Sequence, residues 1–177
     1  MNKELIKGLI AEYQQFVKSV SFVKRAVTLS DNFNYVFVGL RRVGKSYLMY
    51  QQIHHLIEIG ISPEEILFFN FEDERIAGMD TEHLDMIKRC YEEMYSHRPI
   101  FFLDEIQIVP HWEQFVRRLA DQKYRVYVTG SNAKMLSKDI ATTLGGRFMI
   151  QYVYPFSFRE YLSSNGVQLD KLWIYKN

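Results

Sequence analysis

Residues 35–47 read Tyr-Val-Phe-Val-Gly-Leu-Arg-Arg-Val-Gly-Lys-Ser-Tyr, and this stretch restricts the fold more than any other. A β-prone apolar run, 35–38, stops at Gly39; the pattern Gly39-x-x-x-x-Gly44-Lys45-Ser46 follows, and an amphipathic run begins at Tyr47. Strand, glycine-rich loop and helix, in that order, are the context in which this spacing forms a phosphate-binding (Walker A) loop. Glycines let the backbone curl until successive N–H groups point inward, and the first turn of the helix adds its positive end. The cradle is then Gly39, Leu40, Arg41, Arg42, Val43, Gly44, Lys45, Ser46 and Tyr47. Lys45 is placed to reach β- and γ-phosphates, and the Ser46 hydroxyl to hold Mg²⁺. Arg41 and Arg42 either face phosphate or a partner, or form a solvated basic rim.

A second signature lies at 100–105, Ile-Phe-Phe-Leu-Asp-Glu, where four apolar residues run directly into two carboxylates. A strand without alternation is buried on both faces, as in the middle of a parallel sheet. Acids at its carboxyl end sit where open α/β sheets bind ligands. Asp104 is the residue to order the Mg²⁺ shell opposite the Ser46 hydroxyl. Successive side chains leave a strand in opposite directions, so Glu105 cannot repeat that task unless the chain bends. Its useful role is to accept a proton from, or orient, an attacking water. The competing reading is a capping pair before the helix that carries Trp112, Phe115, Val116 and Leu119.

The remaining runs fill out an alternating α/β chain. Leu5, Ile6, Leu9, Ile10, Tyr13, Phe16 and Val17 recur at helical spacing. The short run 22–27 leads toward the phosphate loop and either touches an adenine or simply packs. Met49, Ile53, Leu56 and Ile57 mark a helix that ends at Gly60, with His54 and His55 in it as surface or packing residues. The run 66–71 is a strand followed by Glu72 and Asp73. These acids form a solvated loop, or reach metal-bound water if the strand lies beside the phosphate-loop strand or one away. Residues 80–95 form a further helix, and 124–129 a strand ending at Gly130-Ser131-Asn132. Ser131 and Asn132 either bond a γ-phosphate or lytic water, or cap a helix that continues through Met135, Leu136 and Ile140; both roles are compatible. A Gly-rich loop presents Arg147 before a last strand, 148–154, and Ser157-Phe158-Arg159-Glu160 has capping-box spacing. Apolar Leu169, Leu172, Trp173 and Ile174 near the end lead us to expect that the natural protein continues.

Composition bounds the class. With 177 residues, 47% hydrophobic and 15% aromatic, the chain can bury one substantial core. A formal net charge of +1 makes no bulk electrostatic case for nucleic acid or an anionic membrane. The single cysteine, Cys90, excludes an internal disulfide. The charged N-terminal run is unlike a signal peptide, no run has the length of a membrane span, and a cytoplasmic location is expected.

Taken together, residues 39–46, 100–107, 128–132 and 146–162 resemble the prokaryotic AAA-type ATPases, ATP-binding proteins commonly followed by a C-terminal domain. The usual Gly-Pro-Arg and Lys-Thr of that family are Gly-Leu-Arg and Lys-Ser here, which preserves the nest and the hydroxyl. The resemblance covers about 22–162. It implies an α/β P-loop NTPase fold, a three-layer sandwich around a mostly parallel five-stranded sheet in the order 5-1-4-3-2. Residues 1–162 would be the ATP-binding domain with an N-terminal helical segment, and 163–177 a tail that begins a further C-terminal region. It also implies ATP and Mg²⁺ as ligands and Glu105 as water activator, with Lys45 on the phosphates. Ser131 or Asn132 would take the sensor 1 position, and Arg147 would sit near a subunit boundary, at a neighbour's γ-phosphate in a homo-oligomer. The expected function is ATP hydrolysis coupled to conformational change of a protein or DNA partner, or of the C-terminal region. An ATP-controlled binding module with little turnover is the alternative. A small-molecule kinase fits poorly, since it has no use for the water-activating acid.

Overall fold

The five apolar runs pair into one parallel sheet in the computed structural model, which describes residues 2–131 and 139–167. The strands are β1 (Asn34–Val38), β2 (Ile66–Asn70), β3 (Ile100–Asp104), β4 (Val126–Gly130) and β5 (Phe148–Tyr152). They lie in the order β2-β3-β4-β1-β5, the implied sequence of strands read from the other edge. The helices are α1 (Lys3–Ser19), α2 (Lys45–Glu58), α3 (Thr81–Met94), α4 (Trp112–Asp121), α5 (Asp139–Thr143) and α6 (Phe158–Ser164). Asn132, Met135, Leu136 and the 168–177 tail with Leu169, Leu172, Trp173 and Ile174 lie outside the described residues.

Register explains the core. Phe68, Phe102, Tyr127 and Tyr35 are direct partners across four strands and share one face. Phe102 stacks on Tyr127 at 4.4 Å, and Tyr127 on Tyr35 at 5.9 Å. From α2, Tyr50 meets Phe68 and the Gln52 amide donates to the Tyr127 hydroxyl, so this helix covers that face. Phe101 points the other way and meets Phe115 of α4 and Tyr124. Helices on both faces give the three layers, and burial of each such aromatic contributes about 1.5–3 kcal/mol.

Several element limits differ from the pattern reading. On α1, Ile6, Leu9, Ile10, Tyr13 and Val17 are buried, whereas Leu5 and Phe16 are exposed at the margins of the stripe. Gln14 is buried in their place because its amide donates to the Ile66 carbonyl and its oxygen accepts from the Tyr95 hydroxyl. β2 stops at Asn70 because the Asn70 side chain already turns back to the Glu72 N–H. β5 stops at Tyr152, one bond from Val153 to Val38 short of Pro155. α2 begins at Lys45, two residues before the apolar periodicity shows it. Among the described residues, no helix is long and apolar enough to cross a membrane.

Candidate functional site

A cleft of about 1300 Å³ opens at the carboxyl ends of β1, β2 and β3, walled by 41–47, Glu72 and Glu105, by 21–23 and Arg25 ahead of β1, and by Pro155 and Phe156 after β5. Two glycines shape the loop. A Cβ on Gly39 would lie 2.3 Å from the Val153 carbonyl oxygen, so only glycine lets the end of β5 pass this close. Gly44 is left-handed at φ 92° and stands as the N-cap of α2, with no side-chain cap bond of its own. Arg42 is also left-handed, at φ 62°, so the chain reverses curl twice within the loop.

Lys45 is buried beneath this loop. Its ammonium donates to the Leu40 carbonyl at 3.0 Å and lies 3.4 Å from Glu105 Oε1. The Ser46 hydroxyl donates to Asp104 Oδ1 at 3.0 Å, which brings together the two residues expected to share a cation. Arg41 extends into solvent toward Glu72, and Tyr47 is half exposed at the mouth. The rim reading of Arg41 is therefore the one the geometry favours.

Both acids face the phosphate loop because the chain bends. Glu105 has φ 53°, and this left-handed turn swings its carboxylate back toward Lys45 instead of away from Asp104. Thr129 holds the bend: fully buried, its hydroxyl donates to Asp104 Oδ1 at 2.5 Å and accepts from the Glu105 N–H at 2.8 Å. Burial pushes the Asp104 carboxyl up to about 6, against the opposing bonds from Thr129 and Ser46. Glu105 Oε2 accepts from the Ser131 hydroxyl at 2.8 Å and from the Gln107 amide at 2.6 Å, leaving Oε1 toward Lys45 and the cleft. Ser131 thus contacts the acid itself.

A family model described as AAA domain matches residues 31–162. The chain belongs to the AAA domain family. The match runs from the approach to β1 through the phosphate loop, the acid pair and the capped turn at Ser157. This AAA domain is 32% identical over 171 residues to an uncharacterized protein of Methanocaldococcus jannaschii, covering 96% of the chain and 37% of that protein. It is 35% identical over 162 residues to an uncharacterized protein of Haemophilus influenzae, covering 86% of the chain and 40% of that protein. The chain thus spans about two fifths of the length of these relatives. Among solved structures, AMPPCP-bound DnaA from Aquifex aeolicus aligns with a TM-score of 0.51 at 14% identity, covering 97% of the chain and 53% of DnaA. The Hsp104–ADP complex of S. cerevisiae aligns with a TM-score of 0.55 at 16% identity, covering 93% and 23%. Those similarities establish the P-loop NTPase fold.

Other expected residues of this AAA domain fall elsewhere. β2 is separated from β1 by β3 and β4, so the condition for Asp73 to reach a metal at the loop is not met. Asp73 instead accepts from Tyr13 and Arg75 and caps the turn Glu74–Ile76, while Glu72 reaches only the cleft rim. Arg147 does not line the cleft. It precedes Phe148, the partner of Asn34 at the start of β1, and its guanidinium donates to Asp121 at 2.6 Å. A strand of five residues, roughly 13–16 Å at 3.3 Å each, separates it from Gly39. Thr129 and Gln107 lay inside motif segments without being given a role, and Arg25 lay outside them. The signal for Thr129 was a hydroxyl in an otherwise apolar buried run; Arg25, beside Lys24, offered none.

Proposed function

We propose that this AAA domain binds ATP with Mg²⁺ in the cleft and hydrolyses it to ADP and phosphate, and that turnover moves a partner protein, DNA or a C-terminal region. One observation carries this reading. Glu105, turned by its left-handed backbone, is fixed by Ser131 and Gln107 through one carboxylate oxygen and presents the other to Lys45 at the phosphate loop. A held base beside a cation in a cleft suits water attack on a phosphoryl group, where catalysis is positioning and charge stabilisation. DnaA with AMPPCP and Hsp104 with ADP carry adenine nucleotides on the same fold, in agreement with this assignment.

The chain's own residues divide the work. The Gly44 turn and the N–H groups of 41–46 receive phosphate oxygens, and the Lys45 ammonium exchanges the Leu40 carbonyl and Glu105 for them. Ser46 and Asp104 are hard oxygen donors 3.0 Å apart, the chemistry that suits Mg²⁺, which takes one or two protein ligands and keeps waters and phosphates for the rest. Bound there, the ion would neutralise developing phosphate charge. Freed from Lys45, Glu105 Oε1 accepts the proton of the attacking water while Ser131 and Gln107 keep the carboxylate aimed. The wall formed by 21–23, Pro155 and Phe156 is where the base of the nucleotide would rest.

Glu105→Gln tests the assignment, since it preserves shape and cannot take a proton. Mg–ATP affinity measured by calorimetry should stay near wild type, while phosphate release falls by roughly 10² or more. Equal release rates in an active wild type and the variant would defeat the catalytic role of Glu105, whereas a wild type that binds Mg–ATP without releasing phosphate would favour a nucleotide-controlled binding module.

A further inference from the structure

Arg25 belongs to none of the motifs, yet the residue is only 8% exposed and every branch of its guanidinium is engaged. Nη1 donates to the Val43 carbonyl at 2.9 Å, inside the phosphate loop. Nη2 donates to the Tyr154 carbonyl at 2.8 Å, and Nε to Glu160 Oε1 at 3.1 Å, both beyond β5. Its Cζ lies 5.1 Å from the Phe156 ring centroid. Gln51 of α2 fixes the backbone, accepting from the Arg25 N–H at 2.7 Å and donating to the Arg25 carbonyl at 3.1 Å. One planar cation therefore joins the phosphate loop to the segment forming the facing wall of the cleft. A guanidinium can do this because its donors form a rigid fork, which an ammonium lacks.

The bond to Val43 has a directional consequence. The Val43 C=O and the Gly44 N–H belong to one planar trans peptide unit and point in opposite directions. Holding the carbonyl toward Arg25 fixes the orientation of the Gly44 N–H within the nest. Glu160, in turn, fixes Arg25: its carboxylate accepts from Nε and Nη2, and also from the Ser157 N–H and hydroxyl in the capping box of α6.

We propose that Arg25 and Glu160 form a latch that couples phosphate binding at the loop to the anchoring of segment 154–164. Arg25 is a positioning residue for the Gly44 N–H, and Glu160 acts on the nucleotide through Arg25 alone. The inference rests on the nucleotide assignment made above. Because binding couplings are reciprocal, ATP tightens the segment by the same factor by which the anchored segment tightens ATP. A change of nucleotide is thereby relayed to whatever follows α6.

Glu160→Gln is the informative variant, because it removes charge from a residue outside the cleft and keeps its size. In the 177-residue chain, Mg–ATP affinity by calorimetry should fall about tenfold. Amide hydrogen exchange should show ATP protecting 154–164 in the wild type and much less in Glu160→Gln, with circular dichroism confirming that both are folded. Arg25→Lys should match Glu160→Gln, and the double variant should lose little more than either alone. Wild-type affinity in a folded Glu160→Gln, or no ATP-dependent protection of 154–164 in the wild type, would overturn the latch while leaving the binding site intact. A wild type that binds no ATP would overturn the nucleotide assignment and the latch with it.

Discussion

Thr129 shows how much of the site depends on a residue with no chemistry of its own. Its hydroxyl is the donor to Asp104 and the acceptor for the Glu105 N–H, and it is wholly shielded from water. Thr129→Val keeps the shape but leaves the Glu105 N–H with no bond to that side chain, and deprives Asp104 of one donor. An unsatisfied buried group costs about 1–3 kcal/mol, and denaturant titration should show a loss of that size. A variant as stable as the wild type would mean that the bend at Glu105 is held some other way. Lys45, Ser46, Asp104 and Glu105 were legible as candidates because their placement is written in local spacing: a loop of fixed length, and acids at the end of a buried strand. Thr129 and Gln107 were not. Thr129 gains its role from Glu105, 24 positions away in sequence, and Gln107 from a left-handed turn that no periodicity announces.

The elements were legible where burial is one-sided or complete. Strands β1 to β4 lack alternation because both faces are covered, and α1 shows its stripe because only one face is. Pairing across the sheet was available only through resemblance, since nothing local tells β2 to lie at the edge. α6 is a case between the two. Its capping box was readable from Ser157 and Glu160, but the ion pair with Arg25 spans 135 positions and was not. Burial alone would push the Glu160 carboxyl up; the bonds from Ser157 and from Arg25 outweigh it and hold the group down at about 2, against an ordinary 4.5. A carboxyl depressed in the folded state stabilises fully above its ordinary value, and this contribution is lost as pH falls from about 4.5 through 2. Carbon-13 NMR of the Glu160 carboxyl should therefore titrate near 2 in the wild type and move back toward 4.5 in Arg25→Lys. An ordinary midpoint in the wild type would exclude the buried pair.

At the scale of the whole molecule, the placement of Arg147 decides what kind of assembly would complete the site. It stands at the amino end of β5, whereas the phosphate loop lies beyond the carboxyl end of β1, so the two are at opposite ends of parallel paired strands. Within one subunit no side-chain rotation spans that length of strand. Any contact between Arg147 and a γ-phosphate therefore requires a neighbour that brings the amino end of its β5 to this cleft, in a head-to-tail ring or a two-fold pair. Arg147 is suited to this: it is exposed, and its bond to Asp121 is a surface pair of small worth that a phosphate would readily replace. Arg147→Ala and Glu105→Gln should each be inactive alone, because one lacks the donated cation and the other the base. Mixed in equal amounts under conditions where sedimentation shows oligomers, they should recover activity, since about one quarter of neighbouring pairs join an intact Glu105 to an intact Arg147. Phosphate release that stays at the level of the separate variants, or an Arg147→Ala protein as active as the wild type, would remove Arg147 from the reaction and leave each subunit to work with its own cleft.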